Sequence, residues 1–303
     1  MSLLKNEERL KKYLDSRTKQ AEKLLRSTYQ DVLKNVKSEI AWVYEKYAVE
    51  GVVSYSDMAK YRRLQILQGE LDKILGGNTK TVNKELDKFV ETQYKTTFKG
   101  EEWAFRNGLE IGVSFGGIPQ KTIDAVLNNP FSLIAKDSLS EAQRIRLRRT
   151  LIEGFTQGQS YQQMARNVSD TMQRTYNDAL RIARTEGGRA ESEAQADAYE
   201  AATEEGIDGA PVWVSAFLEK SRPEHMALDG QRAERIDGQW LFRVQTDAGQ
   251  RLIEAPRMSG VASFDINCVC STRFEVESIP AKLRRSKKTG NIISFEEFKK
   301  EME

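Results

Sequence analysis

Hydrophobic residues in the first third of the chain recur every three or four positions, which is the spacing of one face of an α-helix. A first such stretch ends at Gly51. A second begins at a serine cap, Ser54 or Ser56, and stops at Gly76-Gly77, and a third begins at the threonines that follow. The pattern predicts antiparallel helices joined by short turns.

Helical spacing returns after a less regular stretch at 108–130, which contains several glycines and an Asn-Asn-Pro turn. It predicts a helix that ends at Gly154, a short helix capped by Ser160 and a long helix over about 175–205. One face of the long helix carries small side chains, namely Ala190, Ala194, Ala198 and Ala201. Small side chains allow another element to approach closely, so we expect this helix to be packed between neighbours.

After Pro211 the hydrophobic period changes to the alternation typical of β-strands. Strands are predicted at 212–217, 239–244, 251–254 and 272–276. The predicted fold class is therefore mainly α, with an extended multi-helix N-terminal region and a small α+β C-terminal domain. The predicted divisions are an N-terminal helical region at 1–130, a second helical part at 131–207, the α+β domain at 208–280, and a basic tail with a short helix at 281–303.

Composition narrows the class of protein. Of the 303 residues, 30% are charged and 39% are hydrophobic, a balance that suits extended helices better than one compact globule. The net charge of +2 provides no global field that would draw the chain onto nucleic acid. No apolar run has the length of a membrane span, and the N-terminus lacks a signal core. We therefore expect a soluble chain that is made in a reducing cytoplasm.

Residues with metal-binding chemistry lie together in the C-terminal region. They are the single histidine, His225, and the two cysteines, Cys268 and Cys270. Thiolates and imidazole are preferred zinc ligands, and Asp229 or water would supply a fourth ligand. The Cys-x-Cys spacing is tighter than in most zinc sites. The alternative is therefore that His225 hydrogen-bonds within a turn and that both cysteines are reduced packing residues.

Four segments of the C-terminal half stand in a characteristic order. They are Ala183-Arg-Thr-Glu186, then the series Trp213, Arg222, His225, Leu228, Asp229, Gly230 and Gln231, then Ala255-Pro256, and finally Asn267-Cys-Val-Cys270. Together they resemble the phage head morphogenesis family, the minor head proteins that include the Mu F-like proteins. The resemblance covers about 130–276. The chain departs from the family pattern at Glu219 and Lys220, where an aspartate and an arginine are usual, and at Val269, where arginine is common.

The resemblance implies a structural protein of the virion rather than an enzyme. Such proteins associate with the portal protein and with other capsid or scaffolding proteins during assembly in the host cytoplasm. They are packaged in the capsid interior beside the viral DNA, and they influence DNA packaging or ejection. Some relatives are fused to toxin or transferase domains, for which the stretch beyond residue 280 is too short.

An enzyme is the alternative class, specifically a metal-dependent enzyme that acts on nucleic acid. His225 next to Glu224 or Asp229 would serve as a general base, and a cysteine would serve as a nucleophile. However, the sequence offers one histidine, no evident carboxylate cluster for metal-assisted phosphoryl transfer, and no phosphate-binding glycine loop. We therefore assign no catalytic residue and no certain cofactor, with zinc as the candidate.

Two further groups of side chains are candidates for partner contacts. The first is a basic group that would contact DNA phosphates without sequence preference, unless it is an ordinary solvated face: Arg144, Arg146, Arg148, Arg149, Arg284 and Arg285, with Lys287 and Lys288 nearby in the tail. The second is aromatic: Trp42, Tyr44, Tyr47 and Tyr55. Such rings are usually core residues, but a thin, extended bundle cannot bury all of them, so in that case we expect some of them to face the portal or another copy.

Overall fold

The structure is a computed structural model that describes residues 2–285 and 293–303. Its long helices are α1 (Leu3–Tyr47), α3 (Arg63–Leu109), α5 (Pro130–Thr156) and α6 (Tyr161–Glu204). The shorter helices are α2 (Tyr55–Ala59), α4 (Gln120–Leu127), α7 (Pro223–Met226), α8 (Ala262–Asp265), α9 (Ala281–Arg285) and α10 (Phe295–Met302), and a 3₁₀ turn covers Lys60–Arg62. The strands are β1 (Asp208–Val214), β2 (Glu234–Ile236), β3 (Gln239–Thr246), β4 (Gly249–Ile253) and β5 (Ser271–Ser278). The predicted fold class, mainly α with a small α+β C-terminal region, is confirmed.

The chain folds into two compact units, each assembled from separate stretches of sequence. Unit 1 contains Met1–Lys19, Phe89–Leu127 and Arg184–Glu303, and unit 2 contains Gln20–Lys88 and Asn128–Ala183. The strands β1 to β5 all lie in unit 1. The four-part division proposed from the sequence remains a prediction.

The core of unit 2 is built from one apolar face of each of its long helices. On α1 this face includes Val36 and Ile40, on α3 it includes Leu71 and Leu75, and on α5 it includes Leu151. Each of these side chains is at most 3% exposed. The helical spacing in the sequence therefore marks the buried side of each element.

The prediction that Gly76-Gly77 stops a helix is wrong, because α3 continues through both glycines to Leu109. A glycine in a helix interior costs about 1 kcal/mol relative to alanine. The side chains of Leu75 and Val82, on either side of the pair, are buried in the core of unit 2. Burial of one such side chain is worth about 1.5–3 kcal/mol, so packing outweighs the local preference of the glycines.

The threonines predicted to begin a third helix lie inside α3 instead. The hydroxyls of Thr79 and Thr81 donate hydrogen bonds to the carbonyls of Leu75 and Gly77, one turn earlier, at 3.0 and 3.1 Å. A threonine bonded to the preceding turn is an interior residue, not an N-cap. By contrast, Ser54 does cap α2, since its hydroxyl accepts from the backbone N–H of Asp57 at 3.1 Å.

The short helix predicted after Ser160 and the long helix predicted over 175–205 are one element, α6. The cap is confirmed, because the Ser160 hydroxyl accepts from the backbone N–H of Gln163 at 3.4 Å. Met164, Val168 and Met172 then keep the same face buried without a break. Periodicity alone does not show where one helix ends if no glycine or proline interrupts it.

The small-residue face of α6 is packed as predicted. Ala190, Ala194 and Ala198 are fully buried in the core of unit 1. At Gly187, an added Cβ would lie 2.4 Å from a ring carbon of Phe89. A larger side chain at these positions would force the neighbouring elements away from the helix.

The strands form two small antiparallel sheets, one of β1 and β5 and one in the order β2-β3-β4. The predicted strand at 212–217 is shifted, since β1 ends at Val214. The next residue, Ser215, leaves the strand pairing because its N–H donates to the Asp229 carboxylate at 2.8 Å. Asp237-Gly238 forms the tight turn between β2 and β3, with φ of 50° and 83°.

The predicted C-terminal helix is present as α10. It begins with a capping box between Ser294 and Glu297, and Phe298 stacks on Trp103 with ring centroids 5.7 Å apart. The tail residues Lys287 and Lys288 lie outside the described residues. Within the described ranges, no helix combines the length and the hydrophobicity needed to cross a lipid bilayer.

Candidate metal centre

The short helix α7 positions the histidine. Pro223 occupies its first turn, where the fixed φ of proline favours helix formation. After the helix, Gly230 adopts φ of 77°, and its N–H donates to the carbonyl of Trp213 at 2.9 Å, which returns the chain to β1. His225 is thereby held inside unit 1, with 2% of its surface exposed.

The cysteines lie just before β5, on either side of a single residue. Cys268 and Cys270 are buried, whereas Val269 between them is 46% exposed. Asn267 takes the left-handed conformation, with φ of 57°, which asparagine tolerates better than most residues. The Cys-x-Cys spacing therefore places both thiols on the same, inner side.

The two thiols and the imidazole meet at one point. The Nδ1 atom of His225 lies 3.4 Å from the Sγ atom of Cys268 and 3.5 Å from the Sγ atom of Cys270. All three ligand atoms lie within 4.8 Å of one another. The structure thus brings together the three residues that the sequence selected as metal ligands.

Aromatic rings enclose the imidazole. The Phe264 ring lies 4.1 Å from the imidazole, centroid to centroid, and the buried Trp213 meets it edge-on at 6.3 Å. Within the described part of the chain, the Nε2 atom of His225 is buried and has no hydrogen-bond partner. The polar contacts of this imidazole are therefore directed at the two sulfur atoms.

Arg222 and Arg257 fix the backbone that carries the cysteines. Arg222 donates to the carbonyl of Ile266 at 2.5 Å and to that of Phe264 at 3.3 Å. Arg257 donates to the carbonyl of Cys268 at 2.8 Å. Sequence reasoning selected Arg222 as part of a motif but missed Arg257, and nothing in the local pattern distinguishes Arg257 from the many solvated arginines.

The two thiols differ in acidity. The hydrogen bond from Cys268, together with His225, lowers the pKa of Cys270 to about 4. The same hydrogen bond and burial raise the pKa of Cys268. The lowered pKa of Cys270 favours its thiolate, which is the form that binds metal. A role as a catalytic nucleophile is disfavoured by access, since Cys270 is only 3% exposed.

Asp229, the predicted fourth ligand, is not part of this cluster of ligand atoms. It lies at the surface, and its carboxylate accepts the hydrogen bond from the backbone N–H of Ser215. That contact gives Asp229 a structural role in the turn after α7. Neither a general base nor a metal ligand is needed to explain its place in the sequence motif.

The predicted DNA-contacting arginines of α5 are largely paired with carboxylates. Arg146 bonds Asp178 at 2.6 Å, Arg148 bonds Asp72 at 2.6 Å, and Arg149 bonds Glu153 at 2.7 Å. These pairs lower the net positive charge of the face. Of the other predicted contacts, Arg144 is half-buried and Arg284 is exposed, and the side chain of Arg285 lies outside the described part of the structure.

The aromatic residues of the predicted partner surface have different environments. Tyr44 is in the core of unit 2, where its ring stacks on Phe155 and its hydroxyl donates to the carbonyl of Gln159 at 2.7 Å. Tyr44 is therefore a core residue, and the expected partner surface falls to the exposed rings of the group. Trp42 and Tyr55 are nearly half exposed, at 48% and 45%.

Part of the chain, including the candidate metal centre, matches a family of phage proteins. Residues 146–273 match the family described as "Phage Mu protein F like protein". The matched range contains His225 and both cysteines. The resemblance to the Mu F-like phage head family that the sequence motifs predict is thereby confirmed.

Two curated proteins extend the likeness beyond that range. The chain is 27% identical over 286 residues to "Minor head protein GP7" of Bacillus phage SPP1, covering 93% of this chain and 91% of that protein. It is 28% identical over 281 residues to "NAD(+)--arginine ADP-ribosyltransferase EFV" of Enterococcus faecalis strain ATCC 700802 / V583. That match covers 90% of this chain but 55% of the relative, so the chain spans about half of its length. No solved structure matches the chain.

Proposed function

We propose that this chain is a phage minor head protein, a structural and interaction protein of capsid assembly. It associates with the portal, is packaged inside the head, and acts in DNA packaging or ejection. The observation that carries the proposal is the likeness to the SPP1 minor head protein, which extends over 93% of this chain and 91% of that protein. A likeness over both whole chains supports a common role better than a shared module would.

Unit 2 offers a surface suited to a partner, which we term the aromatic-cation surface: Trp42, Lys46, Tyr47, Tyr61 and Arg63. The Trp42 and Tyr47 rings are 6.0 Å apart, and the Lys46 ammonium lies 4.5 Å from the Trp42 ring centre. The Arg63 guanidinium lies 4.0 Å from the Tyr47 ring and 5.4 Å from the Tyr61 ring. Aromatic and arginine side chains held in this way are enriched at protein interfaces.

Tyr61 is the most informative residue of this surface. Its side chain is 82% exposed, and its backbone is left-handed, with φ of 51°. Holding a residue other than glycine in that region costs on the order of 1–3 kcal/mol. Because so little of the ring is covered within the chain, burial of the ring against a partner is the contact that would compensate for this cost.

The test is a pull-down with the portal protein encoded in the same gene cluster. Replacing Trp42 and Tyr61 together with serine should weaken portal binding by about tenfold or more, as loss of an aromatic hot spot does. Leu24→Ser is the matched control, because Leu24 is 45% exposed on the same helix as Trp42 and should leave binding unchanged. Equal binding by wild type and the double variant would exclude this surface, and no binding by wild type would exclude portal association.

An enzymatic role has one observation in its favour, the 28% identity to an ADP-ribosyltransferase. We do not adopt it, because the chain spans only 55% of that protein and the described cysteine-histidine centre is closed to substrate. A nucleic-acid enzyme has less support. The check is incubation of the purified chain with labelled NAD⁺ and an arginine-containing acceptor, and separately with DNA. We expect neither label transfer nor DNA cleavage.

Viral DNA remains a candidate partner through the basic residues. With three arginines of α5 paired to carboxylates, the contact would be weak and would depend on salt. A mobility-shift titration at low salt measures it directly. The absence of a shift at micromolar protein would remove DNA from the partners.

A further inference from the structure

The arrangement of His225, Cys268 and Cys270 has the dimensions of a tetrahedral zinc site. With Zn–N of about 2.0 Å and Zn–S of about 2.3 Å, nitrogen and sulfur ligands of one tetrahedral zinc ion lie about 3.5 Å apart. The Nδ1 atom of His225 lies 3.4 and 3.5 Å from the two sulfur atoms. Both distances agree with one metal ion bound by all three atoms.

A hydrogen-bonded imidazole explains this geometry less well. The Nδ1 atom of a neutral imidazole either donates one proton or accepts at one lone pair, so it forms one directed bond. Here two sulfur atoms approach it at nearly equal distances. One cation between the three atoms accounts for both approaches, whereas one proton accounts for one of them.

The ligand segment is held in place by the protein itself. On one side, Arg222 bonds the carbonyl of Ile266, and on the other, Arg257 bonds the carbonyl of Cys268. These backbone contacts set the direction of both thiols independently of any ligand. Outer contacts that orient ligand residues in this way are typical of metal sites.

We propose that His225 Nδ1, Cys268 Sγ and Cys270 Sγ bind one structural zinc ion, with water as the fourth ligand. The ion joins α7 to the start of β5 across a small hydrophobic cluster that includes Trp213 and Phe264. A cluster of this size gains stability from a metal that closes the long loop between its ligands. The site is independent of the proposed virion role, so either can fail without the other.

The first test measures metal in the full-length chain, purified without a metal-affinity tag from zinc-supplemented cells. Elemental mass spectrometry should find about one zinc per chain, as expected for a single site. Cys270→Ser and His225→Ala should reduce this ratio to near zero. Asp229→Asn is the matched control, since Asp229 lies in the same region outside the cluster, and it should retain the metal.

A second test avoids the folding of variants. The wild-type chain is stripped with a chelator under reducing conditions, checked for native circular dichroism, and titrated with Co²⁺. Bound cobalt should show thiolate charge-transfer bands and the visible bands of tetrahedral Co²⁺. Zinc should abolish these bands and slow the alkylation of both cysteines by about tenfold or more, since the coordinated thiolate is not free to react.

The outcomes that overturn the proposal are equally specific. The first is a wild-type chain that contains no zinc when purified and that, although folded, gives no cobalt bands after stripping. The second is that both cysteines react at the same rate with and without zinc. Retention of zinc by both ligand variants would also contradict the assignment.

Discussion

Arg257 shows how a single side chain organises the centre of unit 1. Its guanidinium donates to the carbonyls of Cys268 and Gly188 and to the Ser192 hydroxyl, at 2.8, 2.9 and 2.8 Å. It therefore joins α6 to the segment that carries the thiols. Gly188 is required for this contact, because an added Cβ would lie 2.6 Å from the Arg257 guanidinium nitrogen.

Replacing Arg257 with methionine removes these bonds, including the one to the carbonyl of the buried Cys268. We expect the free energy of unfolding to fall by roughly 3 kcal/mol, which is the upper end of the usual contribution of a hydrogen bond to a charged group. Arg243→Met is the control, since Arg243 forms a solvent-exposed pair with Glu234 and should leave stability nearly unchanged. Urea unfolding of both variants measures this, and equal stabilities would contradict the role given to Arg257.

The buried carboxyl of Glu7 makes the free energy of unfolding depend on pH. Burial raises its pKa from 4.5 to about 7, and the hydrogen bond from the backbone N–H of Phe274 only partly opposes this. The protonated form is thus favoured in the folded state. The contribution of Glu7 to the free energy of unfolding should be highest below about pH 4.5. It should fall as the pH rises to about 7 and then stay level. The neighbouring Glu101, whose pKa burial also raises, adds to the trend.

Glu7→Gln tests this pH dependence, because the amide keeps an acceptor for Phe274 and does not ionise. Urea unfolding between pH 4.5 and 8 should show a weaker decline for Glu7→Gln than for the wild type. Glu45→Gln, an exposed change on the same helix, should retain the wild-type decline. A Glu7→Gln profile identical to the wild type would refute the account.

At the scale of elements, the sequence predicts faces better than ends. Helical spacing identified the buried sides of α1, α3 and α6, and the alternation after Pro211 identified three of the strands closely. It did not predict β2, whose three residues Glu-Arg-Ile show no alternation of buried and exposed positions. Helix breaks were overpredicted at Gly76-Gly77, because local preference is weaker than the burial of flanking side chains.

The glycines of the long helices should respond to alanine in opposite directions. At Gly76 and Gly77 an added Cβ meets nothing within 4 Å, so each change should raise the free energy of unfolding by about 1 kcal/mol. At Gly187 the added Cβ would lie 2.4 Å from the Phe89 ring, and overpacking of this kind costs about 1–3 kcal/mol. Thermal and urea unfolding of the three variants would decide this, and a destabilised Gly76→Ala would mean that α3 is not continuous there.

The candidate centre could be selected from the sequence because its residue types are rare: one histidine and two cysteines in 303 residues. Its supports could not be selected, since Arg257 is one of 47 basic residues and is distinguished only by its folded surroundings. For the same reason, the sequence left open whether Asp229 or water is the fourth ligand, and did not indicate the bond from Ser215 to Asp229. Rare residue types can indicate candidate metal ligands in a sequence, whereas the hydrogen-bond partners of common residue types are determined by the tertiary fold.

At the scale of the whole molecule, each compact unit draws on distant stretches of the chain. A pattern of buried faces does not specify which face packs on which, so this assembly could not be predicted from the sequence. The motifs nevertheless predicted the resemblance to the Mu F-like family, because that resemblance depends on the order of residues along the sequence. It does not depend on knowing which residues are in contact. The likeness to a minor head protein over nearly the whole chain then gives the molecule its proposed role in the virion.

The most direct measurement of that role is quantitative mass spectrometry of purified, DNA-filled heads after treatment of their surface with protease. We expect this chain to be present, protected from the protease, and found at a few copies per head. Its absence from purified heads, or its complete removal by the protease, would contradict a minor head protein packaged in the capsid interior.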